Sequence, residues 1–483
     1  MRLALDPTSA IVDLAGGTAC TADELTRAAA GRAARLRAHG LGRGGHAVIA
    51  HGGTPAFFAD LMAVWRTGAC AACVNPGLAD TELANVVDFL KPAVVLGGGD
   101  FAGDGLDVPV VRVGDPAGPD ADGGAGPAAL DDPALILFTS GTTGAPKGVV
   151  HSFRSLMARV ALNRAHIGDA TLATTLCVLP THFGHGLIGN CLTPLMAGGR
   201  LLLFQNMGLA DMAGLGGLID EHGVSFLSSV PAFWKIARKA GGPPTRATLR
   251  QVNIGSAPLS AELWRAVVDW TGIDHVVNMY GITETANWAA GASARDTAPE
   301  DGLVGTVWGG RAAVLADDGT VRDSGDGEIL LQTPALMTGY HDRPDLTEAV
   351  LRAGWYHTGD IGTVDAAGVI RLSGRAKSEI NRAGIKVHPE EVDLLLERHP
   401  EVAEACTFGV EDAISGEIVG TAVCLADGAA ITPAELRAWC LDRMRRESVP
   451  ERWYVVDRIP KTDRGKINRD AVKASVQGAG ART

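Results

Sequence analysis

Short apolar runs alternate with longer amphipathic segments through the first hundred residues. The first amphipathic segment, 21–37, is a predicted helix, because Thr21 and Glu24 form a capping box at its start and Gly40 follows its end. A second helix at 55–67 and two short apolar strands at 46–50 and 93–97 are also predicted. This alternation favours a layered α/β fold with a mainly parallel sheet.

The pattern changes twice along the chain. Residues 113–133 are rich in Gly, Pro and Asp and have no apolar period, which indicates a surface loop or a connector between lobes. From about residue 375 a charged segment leads into a compact αβ pattern that ends near residue 470. The expected fold class is therefore α/β, with a large N-terminal domain of layered α/β sheets (1–374) and a smaller α+β C-terminal domain (375–483).

Charge and composition exclude several classes of protein. The 483 residues include 43 Lys and Arg against 55 Asp and Glu, a net charge of −12, which favours neither nucleic acid nor an anionic membrane as a partner. The sequence lacks an apolar run of the ~18 residues that a membrane span needs. Asp6 and Pro7 interrupt any signal-peptide core, so we expect a cytoplasmic protein. We expect its eight Cys, including the Cys70–Cys73 pair, to be reduced, and that pair to be buried.

A buried strand, 134–138, leads directly into a loop of small and hydroxylic residues within LILFTSGTTGAPKGVVHS (135–152). Its glycines let the backbone approach an anion, its hydroxyls donate hydrogen bonds and its Lys adds a cation, as a triphosphate site requires. Pro146 and Gly148 flank that Lys, so the loop is not a Walker A motif. The alternative is a flexible loop with an incidental Lys. The predicted phosphate-binding residues are Thr139, Ser140, Gly141, Thr142, Thr143, Gly144 and Lys147.

The segment TSGTTGAPKG resembles the phosphate loop of the adenylate-forming superfamily: acyl-CoA synthetases, adenylation domains of peptide synthetases and firefly-type luciferases. Further signatures follow in that family's order, so the resemblance covers about residues 20–470. It implies an enzyme that uses ATP and Mg²⁺ to convert a small-molecule carboxylic acid into an acyl-adenylate, and then transfers the acyl group to coenzyme A. It also implies that the C-terminal domain is mobile.

The segment NMYGITETA (278–286) resembles the family's Tyr-Gly-x-Thr-Glu element. There Tyr280 can stack on adenine, Thr283 can reach the α-phosphate, and Glu284 can bind Mg²⁺ between phosphate oxygens. GSAP (255–258) resembles the strand end that lines the adenine and the acyl pocket. The resemblance adds to the nucleotide site Gly255, Ser256, Ala257, Met279 and Gly281.

The segments WYHTGD and RLSGRAKSEI resemble the family's ribose-binding element. The Asp360 carboxylate can accept from both ribose hydroxyls, and Arg375 can donate to the same edge. Lys377 matches the hinge position, and Gly384 matches the Gly that lines the CoA tunnel. For Lys377 and Gly384 the alternative is a charged, solvated turn.

The segment IPKTDRGKINRDAV (459–472) resembles the family's C-terminal signature. The resemblance assigns to Lys466 contact with the acyl carboxylate and the α-phosphate, so that Lys466, Thr283 and Glu284 form the expected catalytic set. A carboxylate is already ionised at neutral pH, and the first step therefore needs positioning and electrostatic stabilisation instead of a general base.

The segment LPTHFGHGLIGN (179–190) resembles the part of the family that lines the acyl pocket. Peptide-synthetase domains place an Asp shortly after the aromatic residue there, whereas this chain has Gly184 and His185. This difference argues against an α-amino acid, and the sequence looks closer to aryl- and cyclic-acid CoA ligases. The candidate pocket residues, each of a kind that is more often ordinary packing than a specificity contact, are His182, Phe183, His185, Trp234, Ala257, Gly281 and Trp288.

Three functions compete on this sequence. The first is a complete acid–CoA ligase, and the second is an enzyme of one half-reaction, which passes the acyl group to a carrier protein or receives an adenylate from a partner ligase. The third is a nucleotide-binding regulatory or structural protein without turnover, against which Lys466, Glu284 and Asp360 argue. The sequence leaves a homodimer open and does not identify the acid.

Overall fold

The computed structural model describes residues 3, 5–101, 103, 105–116, 128–139, 147–205, 207–382, 385–412, 415–462 and 466–478. The strands in these residues are β1 (Ala10–Asp13), β2 (Thr18–Thr21), β3 (His46–Ala50), β4 (Cys70–Cys73), β5 (Val94–Gly97), β6 (Val110–Arg112), β7 (Pro133–Thr139), β8 (Lys147–Ser152), β9 (Thr174–Cys177), β10 (Arg200–Leu203), β11 (Phe226–Ser229), β12 (Gln251–Gly255), β13 (Val276–Ile282), β14 (Asn287–Ser293), β15 (Leu303–Val307), β16 (Arg311–Leu315), β17 (Val321–Arg322), β18 (Gly325–Gln332), β19 (Gly339–Tyr340), β20 (Leu351–Arg352), β21 (Trp355–Val364), β22 (Ile370–Arg375), β23 (Ile380–Arg382), β24 (Ile385–Val387), β25 (Val402–Asp412), β26 (Gly416–Leu425) and β27 (Arg452–Val455).

The helices lie between these strands for most of the chain. They are α1 (Ala22–Ala38), α2 (Pro55–Thr67), α3 (Asp80–Leu90), α4 (Phe153–Ile167), α5 (Thr193–Met196), α6 (Leu209–Ala213), α7 (Leu215–His222), α8 (Pro231–Ala240), α9 (Ala261–Thr271), α10 (Pro344–Val350), α11 (Pro389–Leu396), α12 (Pro433–Leu441) and α13 (Arg469–Gly478), with a π-helix at His185–Leu192 and 3₁₀ turns at Thr283–Thr285 and Arg446–Ser448.

Local chemistry explains why α1 and α2 begin and end where they do. Thr21 accepts a hydrogen bond from the Glu24 backbone, and the Glu24 carboxylate accepts from the Thr21 backbone, so the capping box predicted for α1 is present. Helix α2 begins with Pro55 at its first position and ends at Gly68, which has φ 81°. Both helices coincide with their predicted positions to within a residue.

Two sheets form most of the molecule. In the 15-stranded sheet, β1, β10, β9, β11, β12 and β13 run parallel to one another, and the strands from β14 onward pair in antiparallel fashion. In the seven-stranded sheet, β3 to β7 are parallel, while β8 and β19 complete one edge in antiparallel orientation. The α/β class expected from the sequence is confirmed.

The largest hydrophobic core lies between the two sheets. Helices α1, α2, α4 and the π-helix contribute Leu25, Phe57, Leu156 and Leu187 to it, all of which are fully or almost fully buried. Burial of a side chain of this size stabilises the fold by about 1.5–3 kcal/mol. This core fixes the π-helix against the ends of the parallel strands, where the candidate site lies.

The C-terminal part of the chain has a sheet of its own. Strands β23 to β27 form a five-stranded sheet that α11, α12 and α13 accompany. Among the described residues, three ion pairs join this part to the rest of the protein: Lys235–Glu397 (2.7 Å), Lys386–Asp317 (4.0 Å) and Arg398–Asp301. The boundary between residues 374 and 375 and a hinge at Lys377 remain predictions.

Within the described ranges, no helix combines the length and the apolar character that a bilayer crossing requires. All eight Cys have free thiols, and Cys70 and Cys73 are fully buried on β4. Burial raises the pKa of both thiols, so they remain protonated and unreactive, as expected.

Candidate active site

A cavity of about 200 Å³ opens at the carboxyl ends of the parallel strands β9, β11, β12 and β13. In open α/β sheets this edge is where ligands bind. Apolar and aromatic side chains form most of the wall. The lining residues are Leu179, Pro180, Phe183, Gly184, His185, Val230, Ser256, Met279, Gly281, Ile282, Thr283, Asn287, Trp288 and Lys466.

Two glycines permit the close packing that shapes this cavity. A Cβ at Gly281 would lie 2.1 Å from the Asn287 carbonyl oxygen, and one at Gly189 would lie 2.2 Å from the Asn287 side-chain nitrogen. The β13–β14 hairpin can therefore approach itself and the π-helix only because these positions lack a side chain. Any larger residue at Gly281 would displace the wall of the cavity.

Lys466 lines the same cavity as Thr283 and His185, although it belongs to the C-terminal part of the chain. The Thr462 backbone N–H donates to the Lys466 carbonyl oxygen (2.7 Å), and Lys461 and Ile467 form an isolated antiparallel bridge. The chain thus presents an ammonium group to the cavity from outside the strand ends. The contact of Lys466 with the acyl carboxylate and the α-phosphate, and its catalytic role, remain predictions.

Glu284 lies beside the cavity in a cluster of ionisable groups from the seven-stranded sheet. It is 9% exposed, and its Oε1 accepts a hydrogen bond from the Tyr340 hydroxyl at 2.7 Å. Lys147 Nζ lies 4.0 Å from the same oxygen and 3.7 Å from the centre of the Tyr340 ring. Burial lowers the Lys147 pKa, an effect that Glu284 opposes. Mg²⁺ is typically bound by one or two carboxylates together with substrate phosphates, and Glu284 fits that role.

Two buried side chains form hydrogen bonds with the backbone carbonyl oxygens on both sides of Glu284. His151 Nε2 lies 2.8 Å from the Thr283 carbonyl oxygen, and Arg159 Nε donates to the Thr285 carbonyl oxygen at 3.1 Å. Burial lowers the His151 pKa to about 4, so the ring is neutral at neutral pH and its Nε2–H donates to Thr283. Burial likewise lowers the Arg159 pKa to about 9. These contacts fix the turn that presents Glu284.

Asp360, the residue predicted to bind the ribose, is 4% exposed. It accepts a hydrogen bond from the Tyr280 hydroxyl (2.5 Å) and another from Arg375 Nε (2.7 Å). Each carboxylate oxygen has two lone pairs and can still accept from a ribose diol. Burial, followed by the Asp360 charge, raises the pKa of Tyr280 well above its usual range. The structure therefore brings Tyr280, Asp360 and Arg375 together, while stacking of Tyr280 on adenine remains a prediction.

His185 connects two parallel strands at the base of the cavity. Its Nδ1 lies 2.8 Å from Ser256 Oγ, beyond the end of β12, and its Nε2 lies 2.7 Å from Ser228 Oγ on β11. Burial is the main reason that the His185 pKa falls to about 3, with the Lys466 charge as a second cause. The imidazole is therefore neutral, and it packs edge-on against Trp288 at 5.5 Å.

Not every predicted site residue reaches the described cavity. Trp234 is fully buried and packs against Phe233 and Trp270, so its place in the acyl pocket remains a prediction. His182 packs edge-on against Phe183 at 4.7 Å. The remaining nucleotide-site residues Gly255, Ala257 and Thr139 lie at or next to the ends of β12 and β7. Outside the described residues lie Ser140, Gly141, Thr142, Thr143, Gly144 and Gly384.

Four further residues of the site could not be predicted from the sequence, because no local pattern marks them: Tyr340, Ser228, His151 and Arg159. One signal was available for Tyr340: the chain has only four tyrosines. Three of the four, Tyr280, Tyr340 and Tyr356, converge here, and the Glu284 charge is among the causes that raise the pKa of Tyr356. A residue type this scarce and this clustered is typical of a site.

Comparison with known proteins agrees with this geometry. The AMP-binding enzyme family matches residues 6–341, and the AMP-binding enzyme C-terminal domain matches residues 391–466. A sulfoacetate–CoA ligase from Cupriavidus necator is 35% identical, over 76% of this chain and 73% of that protein. A feruloyl-CoA synthase from an Amycolatopsis species is 30% identical, over 95% of this chain and 94% of that protein.

The fold is also that of a solved structure, o-succinylbenzoate CoA synthetase (MenE) from Bacillus subtilis in complex with the acyl-adenylate intermediate OSB-AMP. The TM-score is 0.85 at 24% identity, over 96% of this chain and 94% of that chain. The same synthetase has been solved with ATP and a magnesium ion. The chain therefore belongs to the AMP-binding enzyme family and is an acid–thiol ligase that uses ATP, Mg²⁺ and coenzyme A.

Proposed function

We propose that this acid–thiol ligase converts an aryl, cyclic or other bulky non-amino acid, with ATP and CoA, into the acyl-CoA, AMP and pyrophosphate. The observation that supports this most directly is the position of Lys466 in the cavity that also contains Thr283 and His185. This position supports a role for the Lys466 cation at the point where the acid and the α-phosphate would meet.

In the first half-reaction a carboxylate oxygen of the acid attacks the α-phosphorus of ATP. An O–P bond forms, and the bond to the pyrophosphate oxygen breaks. Lys466 and Lys147 offset the negative charge of the two approaching anions, and Thr283 can donate to the α-phosphate. Mg²⁺ bound at Glu284 would neutralise phosphate charge. Loss of one preorganised donor of this kind costs about 2.7–4 kcal/mol, or roughly 10²–10³ in rate.

In the second half-reaction the CoA thiol attacks the adenylate carbonyl, and AMP leaves with the electron pair of the broken acyl–oxygen bond. We propose that the C-terminal domain rotates near Lys377 between the two steps, withdrawing Lys466 and bringing Gly384 to the pantetheine tunnel. The interdomain ion pairs Lys235–Glu397 and Arg398–Asp301 belong to the arrangement in which Lys466 is in the cavity.

The cavity wall supports the substrate class. No carboxylate is among the described lining residues, so an α-amino acid would find no partner there for its ammonium group. Phe183, Met279 and Trp288 present apolar surface that suits a ring. One relative that is similar over nearly the whole chain is named for feruloyl-CoA, which is consistent with an aromatic acid. Dependence on ATP and CoA supports a cytoplasmic location.

The test is acid-dependent exchange of labelled pyrophosphate into ATP, measured with and without CoA over a panel of aryl, cyclic, aliphatic and amino acids. We expect exchange with ring acids in the absence of CoA and thioester formation in its presence. Exchange without any thioester would instead identify an adenylating enzyme that serves a carrier protein. A preference for α-amino acids would refute the proposal.

A further inference from the structure

We propose that the acyl cavity selects a ring acid with one negative charge and a neutral hydrogen-bond acceptor, such as an ether or keto oxygen, which binds the hydroxyl of Ser256. The inference rests on the proposed function and adds the chemistry of the substituent. It follows from the direction of the hydrogen bonds that join Ser228, His185 and Ser256.

Ser228 fixes one end of this chain of hydrogen bonds. Its hydroxyl is fully buried and lies 2.7 Å from His185 Nε2, and it has no other partner among the described residues. If Nε2 carried the proton, the Ser228 hydrogen would have no acceptor. An orphaned buried donor is rarer and costlier than an acceptor with a spare lone pair. The Ser228 hydroxyl therefore donates to Nε2.

The other ring nitrogen then has a defined state. A neutral imidazole has one N–H, and since Nε2 accepts, Nδ1 carries the hydrogen and donates to Ser256 Oγ at 2.8 Å. The Ser256 hydrogen is consequently not used by His185. Within the described part of the chain it has no other acceptor, and Ser256 lines the cavity. The hydrogen is therefore available to a ligand.

The backbone at Ser256 supports a functional reading of this arrangement. Ser256 has φ +68°, a conformation that non-glycine residues adopt uncommonly and that clusters at functional sites. Ser256 directly follows β12, its hydroxyl contacts His185, and the residue lines the cavity. A hydroxyl directed in this way is a donor to the ligand.

The charged side chains that line the cavity determine which net charge of the acid can be accommodated. Lys466 is the single cationic side chain among the described lining residues, and it is needed for the reacting carboxylate. His185 is bonded at both nitrogens and supplies no charge. A second anionic group on the acid would be buried without a compensating positive charge, which is unfavourable. Dianionic acids should therefore be poor substrates.

The test compares kcat/KM for methoxybenzoates and the corresponding ethylbenzoates, at the ortho, meta and para positions. The two substituents are similar in size, and only methoxy has an acceptor oxygen. For at least one position we expect wild type to prefer the methoxy acid by about 2- to 13-fold, the range of one net hydrogen bond. Ser256→Ala should reduce this ratio to about one. Ser256→Gly, which relieves the positive φ, should do the same and guards against a folding defect.

The outcomes separate the inference from the proposed function. If no acid of any class yields adenylate or thioester, the proposed function fails. If ring acids react but wild type shows no methoxy preference, or if Ser256→Ala leaves the ratio unchanged, the inference fails alone. It also fails if benzene-1,4-dicarboxylate reacts as well as benzoate. Nitrogen-15 NMR of labelled histidine, assigned with His185→Gln, should show Nδ1 protonated, and an Nε2–H tautomer would overturn the proposal.

Discussion

Tyr280 donates a hydrogen bond of 2.5 Å to Asp360, which lies 80 residues later in the chain. The contact joins the end of β13 to β21 and places a buried carboxylate next to the carboxyl edge of the parallel strands. Arg375 completes the arrangement from β22, where it is the direct cross-strand partner of Asp360. A negative group this deeply buried is stabilised by its two donors and remains ready to accept two more.

Asp360→Asn should weaken ATP binding. The substitution removes the charge that pairs with Arg375 and halves the acceptor capacity facing the ribose. Hydrogen bonds to charged groups contribute about 1.5–3 kcal/mol each, so kcat/KM for ATP should fall roughly 10- to 100-fold. The control is Asp365→Asn, in the exposed turn between β21 and β22, which should change kcat/KM for ATP by less than about twofold. Equal losses in both variants would contradict the assignment.

Lys466→Ala should abolish most adenylation, by roughly 10²–10³ in rate, while thioester formation from supplied adenylate continues. Pyrophosphate exchange measures the first step, and release of AMP from synthetic adenylate and CoA measures the second. Lys473→Ala, on the following helix α13, provides the matched loss of one positive charge. If Lys466→Ala slowed both half-reactions equally, its role would be structural.

His151→Phe should impair the use of Mg²⁺ and ATP. The carbonyl oxygen of Thr283 loses its donor, and the turn that presents Glu284 is no longer fixed. A buried polar group without a partner costs about 1–3 kcal/mol, which corresponds to a decrease of at least about fivefold in kcat/KM for ATP. His151→Gln retains an N–H donor and should recover most of the loss. If His151 had only a structural role, His151→Phe would lower the melting temperature without raising the Mg²⁺ concentration needed for the half-maximal rate.

Two buried histidines make folding stability depend on pH in the acidic range. The pKa values of His151 and His185 are about 4 and about 3, below the ordinary value of 6.5. At a pH between the folded-state pKa of each histidine and 6.5, the unfolded chain binds more protons than the folded chain. The free energy of unfolding therefore falls as the pH falls below 6.5. Each histidine contributes a slope of up to about 1.4 kcal/mol per pH unit. Denaturant titrations at several values between pH 7 and pH 5 give the free energy of unfolding as a function of pH. This free energy should depend less steeply on pH in His151→Gln than in wild type, and an unchanged dependence would refute the assignment.

Lys235→Glu should slow adenylation slightly, since it replaces the Lys235–Glu397 ion pair with a repulsion. The pair is partly exposed, so the effect should be about 0.2–1 kcal/mol, or up to about fivefold. The exchange variant Lys235→Glu with Glu397→Lys should restore the rate, and high salt should reduce the difference. A loss that the exchange does not repair would show that the ion pair is not its cause.

The local elements of this fold could be predicted from the sequence, but the long-range contacts of the site could not. The capping box fixes α1 from four consecutive residues, and Asp360 and Arg375 meet because a short hairpin pairs them. Tyr340 reaches Glu284 over 56 residues and from a different sheet, and nothing in its own segment indicates the partner. Such contacts depend on how two sheets dock, which hydrophobic pattern alone does not specify.

The hydrogen bond from Tyr340 to Glu284 has a consequence for the molecule as a whole. Tyr340 belongs to the seven-stranded sheet, whereas Glu284 lies two residues after the end of β13, a strand of the 15-stranded sheet. A triphosphate and its metal bound between Lys147 and Glu284 would therefore stabilise the contact between the two sheets. A bound ligand should protect the amides where the two sheets meet from hydrogen exchange. Without the ligand, the contact between the sheets should break at a lower free energy than the unfolding of either sheet.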